Sequence, residues 1–364
     1  MQADRGAPSR APFNARRYRR VLLLAGLVGP LAAAPALAQE TRTIVDDVGR
    51  SVTLDLPIER AVVFNRYAVE FVRAVGGSDV IVGVDASTLR DPPYWPEYDE
   101  SMIAGQGQTE PNYEAIVALD PDLVIMPRNG VYEEAAAQLA PFGIPLLVVT
   151  AWDTLKHVEN VTLIGELFGS EERADALNAF YTHYMDLLDE RLEGIEPRRV
   201  YLEETRPYVS VTPGSGWHDM IEAGGGQNIY GDIVIGEQPS SRGNENGFTV
   251  DAEDILARDP EVVIKLEPGS YETIPQEQFA ASWQALMDRS EIAASTAGQN
   301  GDVHVINYYL AGGSSKMIGA LQVAKWLYPD LFEDIEPEDV MREWIEVYQG
   351  LPFQPDMTYS GPAG

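Results

Sequence analysis

The strongest constraint on this chain is that part of it is written twice. Glu114-Ala-Ile-Val-Ala-Leu-Asp-Pro-Asp-Leu-Val-Ile125 and Glu253-Asp-Ile-Leu-Ala-Arg-Asp-Pro-Glu-Val-Val-Ile264 agree at seven of twelve positions, 139 residues apart. A second echo lies upstream of each copy, Ala74-Val-Gly-Gly-Ser-Asp-Val-Ile81 and Ala223-Gly-Gly-Gly-Gln-Asn-Ile-Tyr230. Both copies read the same way. A helix ends at glycine, which accepts the left-handed conformation. A second helix opens with the Glu, an Asp-Pro turn stops it, and a buried strand follows, Leu123–Met126 or Val262–Lys265. Two copies imply two similar α/β lobes.

Further strands are expected at 61–64, 80–84, 146–149, 200–202 and 303–306. They alternate with helical patterns, which argues for parallel sheets with crossover helices. Between the copies, Ser170 stands where it could cap a helix running from Glu171 to about Glu193. Its apolar positions are Leu177, Phe180, Tyr181, Tyr184, Leu187, Leu188 and Leu192, at three- and four-residue spacing. Gly194 and Pro197 end it. About 23 residues at roughly 1.5 Å each make a rod of about 35 Å, a stiff strut that allows little hinge motion. The expected fold class is α/β, two Rossmann-like lobes joined by one long interlobe helix. The expected boundaries are 39–168 for the first lobe, 169–195 for the helix, 196–350 for the second lobe and 351–364 for a tail.

Residues 1–38 differ from all that follows. Six arginines (Arg5, Arg10, Arg16, Arg17, Arg19 and Arg20) face one acid, Asp4. The apolar run Val21–Leu31 then leads to Ala36-Leu37-Ala38. That is the plan of a secretory signal peptide, and its apolar core is too short to span a bilayer. Arg19-Arg20-Val21-Leu22-Leu23 keeps a twin-arginine reading open. Without residues 1–38, 20 basic and 56 acidic residues remain of the 26 and 57 in the whole chain. No later stretch approaches about 18 uninterrupted apolar residues. The mature chain is expected to be an exported, soluble monomer, and a periplasm suits a protein without an anchor.

The composition narrows the function. A net charge of −31 leaves no basic face for nucleic acid. With no cysteine there are no disulfides, no thiolate metal sites, no Cys nucleophile and no lipidated N-terminal Cys. A hydrophobic content of 45% excludes a disordered chain. The four histidines, His157, His183, His218 and His304, show no close pair at helical metal spacing. Pro213-Gly214-Ser215-Gly216-Trp217 lacks the spacing of a nucleophile elbow, and Ser215 is read instead as a helix cap. No cofactor and no resident metal are expected.

Six short words run from residue 46 to 332: Asp46-Asp-Val-Gly-Arg50, Pro111-Asn-Tyr-Glu-Ala-Ile116, Asp120-Pro-Asp-Leu-Val-Ile125, Gly225-Gly-Gln-Asn-Ile229, Val250-Asp-Ala-Glu-Asp-Ile-Leu256 and Trp326-Leu-Tyr-Pro-Asp-Leu-Phe332. By these words, in this order, the chain resembles the substrate-binding proteins of ABC importers, and more narrowly the type that carries ferric siderophores and cobalamin. The resemblance covers roughly residues 40–350. It implies a class III binding-protein fold, and a non-enzymatic protein that delivers a ferric-siderophore-type molecule to the permease. It further implies that one acid on each lobe pairs with permease arginines. Glu114 and Glu253 occupy those positions and also open the two internal copies.

In open α/β sheets, ligands sit beyond the carboxyl ends of the strands. The segments found there contain Arg66, Tyr67, Arg128, Asn129, Arg206, Tyr308 and Tyr309. Two loops, carrying Tyr94-Trp95 and Trp217-His218, could add walls. Arginine forks suit carboxylates, catecholates or phosphates, and aromatic faces suit a flat ligand, so an anionic metal chelate fits better than a bare cation. Lobe packing is the alternative use for each aromatic residue. The same fold carrying cobalamin, haem or a metal oxyanion stays open beside the iron chelate. An exported hydrolase and a sensor or adhesion module are the remote alternatives.

Overall fold

In a computed structural model, which describes residues 40–362 except 234–247, 270, 273 and 313–315, the duplicated words form one structural unit built twice. The expected signal segment, 1–38, lies outside the described residues. In the first copy, Asn112 caps the helix Tyr113–Ala118 by accepting from the Ala115 amide at 3.1 Å. The chain then turns through Asp120 and enters β7 (Leu123–Met126). In the second, the helix Ala252–Arg258 turns through Asp259 into β13 (Val262–Glu267). All four residues of β7 and all six of β13 are buried. β7 is apolar throughout, and β13 is apolar except for Lys265 and Glu267, as suits strands of a parallel sheet covered on both faces.

The first chain segment makes an antiparallel hairpin, β1 (Glu40–Val45) with β2 (Ser51–Leu56). The first lobe then follows. Its sheet has the order β6-β5-β4-β3-β7-β8. The strands are β3 (Ala61–Val63), β4 (Ile81–Asp85), β5 (Ile103–Gly107), β6 (Glu110–Pro111) and β8 (Leu146–Val148), with β7 as above. All neighbours are parallel except the edge strand β6.

The second sheet has the order β12-β10-β9-β13-β14-β15, with β11 also paired to β9. Here β9 is Arg198–Glu203, β10 Val209–Ser210, β11 Gly226–Asn228, β12 Phe248–Thr249, β14 Val303–Asn307 and β15 Thr358–Tyr359. Its parallel centre is β11-β9-β13-β14. In the expected tail, the described residues 351–362 include a strand of this sheet. Thr358–Tyr359 closes the sheet antiparallel to β14, a two-residue strand too short to show in a sequence pattern.

Helix Glu171–Leu192 lies between the two sheets in sequence and touches both lobes. Near its start, Arg173 donates to the Ala74 carbonyl and Tyr181 to that of Thr154. At its end, Arg191 pairs with Asp334 at 2.6 Å. Its 22 residues give about 33 Å at roughly 1.5 Å per residue. Gly194, at φ 74°, ends it as expected. The expected Ser170 cap is absent, because its hydroxyl turns back to the Phe168 carbonyl. Among the described residues no helix is long and apolar enough to cross a membrane.

Candidate functional site

One local device recurs where strands of the two lobes end. Asn65 follows β3 with φ 78°, a conformation that side-chain-bearing residues rarely adopt. It is held there from two sides. Its amide donates to the buried Asp85 carboxylate at 2.6 Å, and its side chain accepts from the Tyr67 amide at 3.0 Å. In the second lobe Asn307, at the end of β14, accepts from the Tyr309 amide at 2.7 Å. An asparagine at each strand end thus starts a helix and presents the next two residues, Arg66-Tyr67 or Tyr308-Tyr309, at the seam between lobes.

At that seam the Arg66 guanidinium donates to the Tyr67 hydroxyl at 3.1 Å. It also stands 5.0 Å from the Tyr67 ring centroid and 5.8 Å from that of Tyr308, in the other lobe. Trp152 meets Tyr67 edge-on, and Trp217 lies 4.9 Å from Tyr308. Trp217 starts its helix because Ser215 caps it, accepting from the Trp217 amide. Lys316, at the head of helix Lys316–Leu327, reaches the same place, 4.9 Å from the Trp217 ring and 5.9 Å from Tyr67. Arg128 stands nearby, paired with Asp153. Burial raises the carboxyl pKa of Asp219, which faces this group. The seam thus joins cations of both lobes to four aromatic rings, an arrangement suited to a flat anionic molecule.

Three of the expected ligand walls take part in a buried cluster. Tyr94, Trp95 and Tyr309 are 1%, 1% and 4% exposed. Tyr94 and Tyr309 both donate to the buried Glu70 carboxylate. Arg73 lies 4.3 Å from the Tyr94 ring and 4.1 Å from Trp95, and donates to Gln349 of the second lobe at 2.8 Å. The Tyr271 amide donates to Asp91 at 2.7 Å. This group clasps the lobes together, which is the packing role that Tyr94, Trp95 and Tyr309 had as an alternative.

Arg206 is not brought to the seam. Its side chain is 72% exposed and 3.9 Å from Glu204. His218 turns away from its neighbour Trp217. It lines a separate pocket of about 570 Å³ in the second lobe with Arg199, Glu222, Asn228 and Arg258, and the Asn228 amide group stands 3.3 Å from its ring nitrogen. Asn129, beside Arg128, has a buried side-chain oxygen without a hydrogen-bond partner. Glu114 and Glu253 are both exposed in the first turn of their helices, at matching places in the repeated unit.

Sequence reasoning passed over Trp152, Asp153, Asp219 and Lys316. Lys316 did leave a trace, being one of only four lysines and standing alone before an apolar helix. The two aspartates did not, among so many acids.

A profile of the periplasmic binding protein family matches residues 61–309. The chain is similar to a cobalamin-binding protein of Halobacterium salinarum, at 26% identity over 317 residues, which span 80% of this chain and 78% of that one. It is also similar to the molybdate-binding protein MolA of Haemophilus influenzae, at 24% identity over 372 residues, 92% of this chain and 97% of that one. Among solved structures it superposes on a TroA-like periplasmic binding protein, FepB of Veillonella parvula. The TM-score is 0.70 at 22% identity, covering 88% of this chain and 99% of the other, a likeness of fold.

Proposed function

This chain belongs to the periplasmic binding protein family, and on that premise we propose that it captures an anionic metal chelate of the ferric-siderophore kind and releases it chemically unchanged to an ABC permease. Its place is the periplasm, as the solute-binding component of an importer. Export on residues 1–38 is part of this reading.

One observation supports the cargo class above the rest. Arg66 stands at the seam beside Tyr67 and Tyr308, with Glu70 among the charges around it, and among the described residues no carboxylate comes within 4 Å of its guanidinium. A guanidinium in such a place has its charge available for an anion. Titrating the mature protein with ferric tris(catecholate), followed by tryptophan fluorescence, tests this, since Trp152 and Trp217 edge the seam. Arg66→Ala should weaken binding by about 1.5–3 kcal/mol, the range for a charged hydrogen bond, and Arg206→Ala should leave it unchanged. Equal affinity in all three proteins would remove Arg66 from the site.

A second reading, cobalamin, draws support from the aromatic pairs Tyr67–Trp152 and Trp217–Tyr308 and from the Halobacterium relative. Cobalamin binding that survives Arg66→Ala, with no ferric chelate bound, would favour it.

Delivery requires a docking face. The exposed Glu114 and Glu253 are proposed to meet permease arginines, one from each lobe. Charge reversal to Lys at both positions should abolish stimulation of the permease ATPase without changing ligand affinity.

A further inference from the structure

Lys316 is the least expected charge in the protein. It is 3% exposed, yet among the described residues no carboxylate oxygen lies within 4 Å of its ammonium. A buried cation without a direct counter-ion is costly, and such groups are kept where something else supplies the charge. The surroundings are shaped around its side chain. A Cβ at Gly216 would meet Nζ and lie 2.6 Å from Cε, so the lysine's flexible end packs directly on that glycine. Nζ faces the Trp217 ring of its own lobe and the Tyr67 ring of the other. Arg66 stands 5.0 Å from that same Tyr67 ring, so one aromatic ring has a cation of each lobe beside it.

We infer that Lys316 is the cation with which the second lobe grips anionic cargo, opposite Arg66 of the first lobe, and that the grip depends on the lysine's own proton. The inference rests on the anionic-cargo reading above. The groups around the ammonium are Asp219 on the helix Gly216–Ala223, Asp153 and Arg128 from loops of the first lobe, and Glu70 on the helix Arg66–Ala74. Burial lowers the Lys316 pKa to about 7, against the pull of these acids. An anion placed beside the ammonium favours the charged form. Below about pH 7 the lysine is already charged and affinity is flat. Above it, binding must take up a proton, and affinity falls as pH rises toward the pKa of the bound state.

The test is calorimetric titration of the mature protein at pH 6 and pH 8.5, in buffers of different ionisation enthalpy, using ferric tris(catecholate) and molybdate as separate probes. The expected wild-type result is proton uptake at pH 8.5 only. Lys316→Met should weaken anion binding by about ten- to a hundredfold at pH 6 and abolish the uptake. Lys316→Arg, which stays charged, should keep binding and lose the pH dependence. Lys316→Gln, which removes the charge and keeps a polar end, should weaken binding as Lys316→Met does and serves if Lys316→Met misfolds. Ferric chelate bound equally by wild type and Lys316→Met would overturn the role of Lys316 and leave the cargo reading standing. Molybdate bound with Lys316-dependent proton uptake, and no chelate bound, would overturn the cargo reading and leave Lys316. No binding of either anion overturns both.

Discussion

Asp120 and Asp259, 139 residues apart, hold the backbone in the same left-handed turn, with φ of 47° and 42°. The likeness extends around them. Arg60 Nε donates to the Asp120 carbonyl at 2.8 Å, and Arg199 Nε to that of Asp259 at 2.9 Å. The Asp122 amide donates to the Arg60 carbonyl, and the Glu261 amide to the Arg199 carbonyl. Even the strand register repeats, with Ala61 opposite Leu123 and Val200 opposite Val262. The duplication is therefore one of hydrogen bonds and register as well as of words.

Because the two arginines do the same work in separate sheets, their loss should cost similar amounts. Arg60→Ala and Arg199→Ala are each expected to destabilise the protein by about 1 kcal/mol, and the double variant by about the sum. Urea unfolding measures this. Strong non-additivity would mean that the two turns are not independent.

The duplicated unit was readable because both its signals, an apolar run and a breaker, are local. The strut was readable for the same reason, from Leu177 to Leu192 at helical spacing. The placement of Arg66, Tyr67, Arg128 and Tyr308 past strand ends was legible, because a strand end is a local signal. Contacts whose partner comes from far along the chain were not. Tyr94 and Trp95 look like cleft walls until Glu70, Tyr309 and Arg73 are seen to bury them. Lys316 lies against Gly216 and Trp217, a hundred positions earlier in the chain.

Glu203, at the end of β9, is fully buried and bonded by Lys265 at 3.0 Å and Arg289 at 2.6 Å. Burial alone would raise its pKa, but the Arg289 hydrogen bond and the Lys265 charge hold it below the ordinary value. The stability this contributes is present above the unfolded carboxylate pKa and is lost as pH falls through the lower folded value. Glu203→Ala leaves two buried cations and should cost about 3–5 kcal/mol. An unchanged urea midpoint at pH 7 would show the triad to be dispensable.

His157 reports on acid sensitivity. It stacks on Tyr181 at 3.7 Å, and its Nε2 is buried with no partner. Burial lowers its pKa to about 3. The unfolded chain takes up the proton below about pH 6.5, so stability should fall between there and pH 3, by up to about 1.4 kcal/mol per pH unit from this residue. His157→Phe keeps the stack and removes the orphaned nitrogen. It should be neutral or stabilising at pH 7 and clearly more stable than wild type at pH 4.5. A parallel pH dependence in the two proteins would contradict this account.

The clasp at Arg73 ties the two lobes together. Its guanidinium lies against the rings of both Tyr94 and Trp95, bonds the Tyr94 carbonyl and Glu97 in its own lobe, and reaches Gln349 in the other. Gln349 in turn donates to the Glu70 carbonyl. Arg73→Met keeps much of the packing and removes the charged bonds, at a cost of about 1.5–3 kcal/mol. That loss falls on the closed arrangement of the lobes and leaves the two sheets intact. Hydrogen exchange should therefore quicken at Glu70, Tyr94, Tyr271 and Gln349, while the amides of β7 and β13 keep their protection. Faster exchange throughout β7 would instead mean that Arg73 supports the first lobe itself, and the clasp would then be a product of lobe folding rather than a brake on opening.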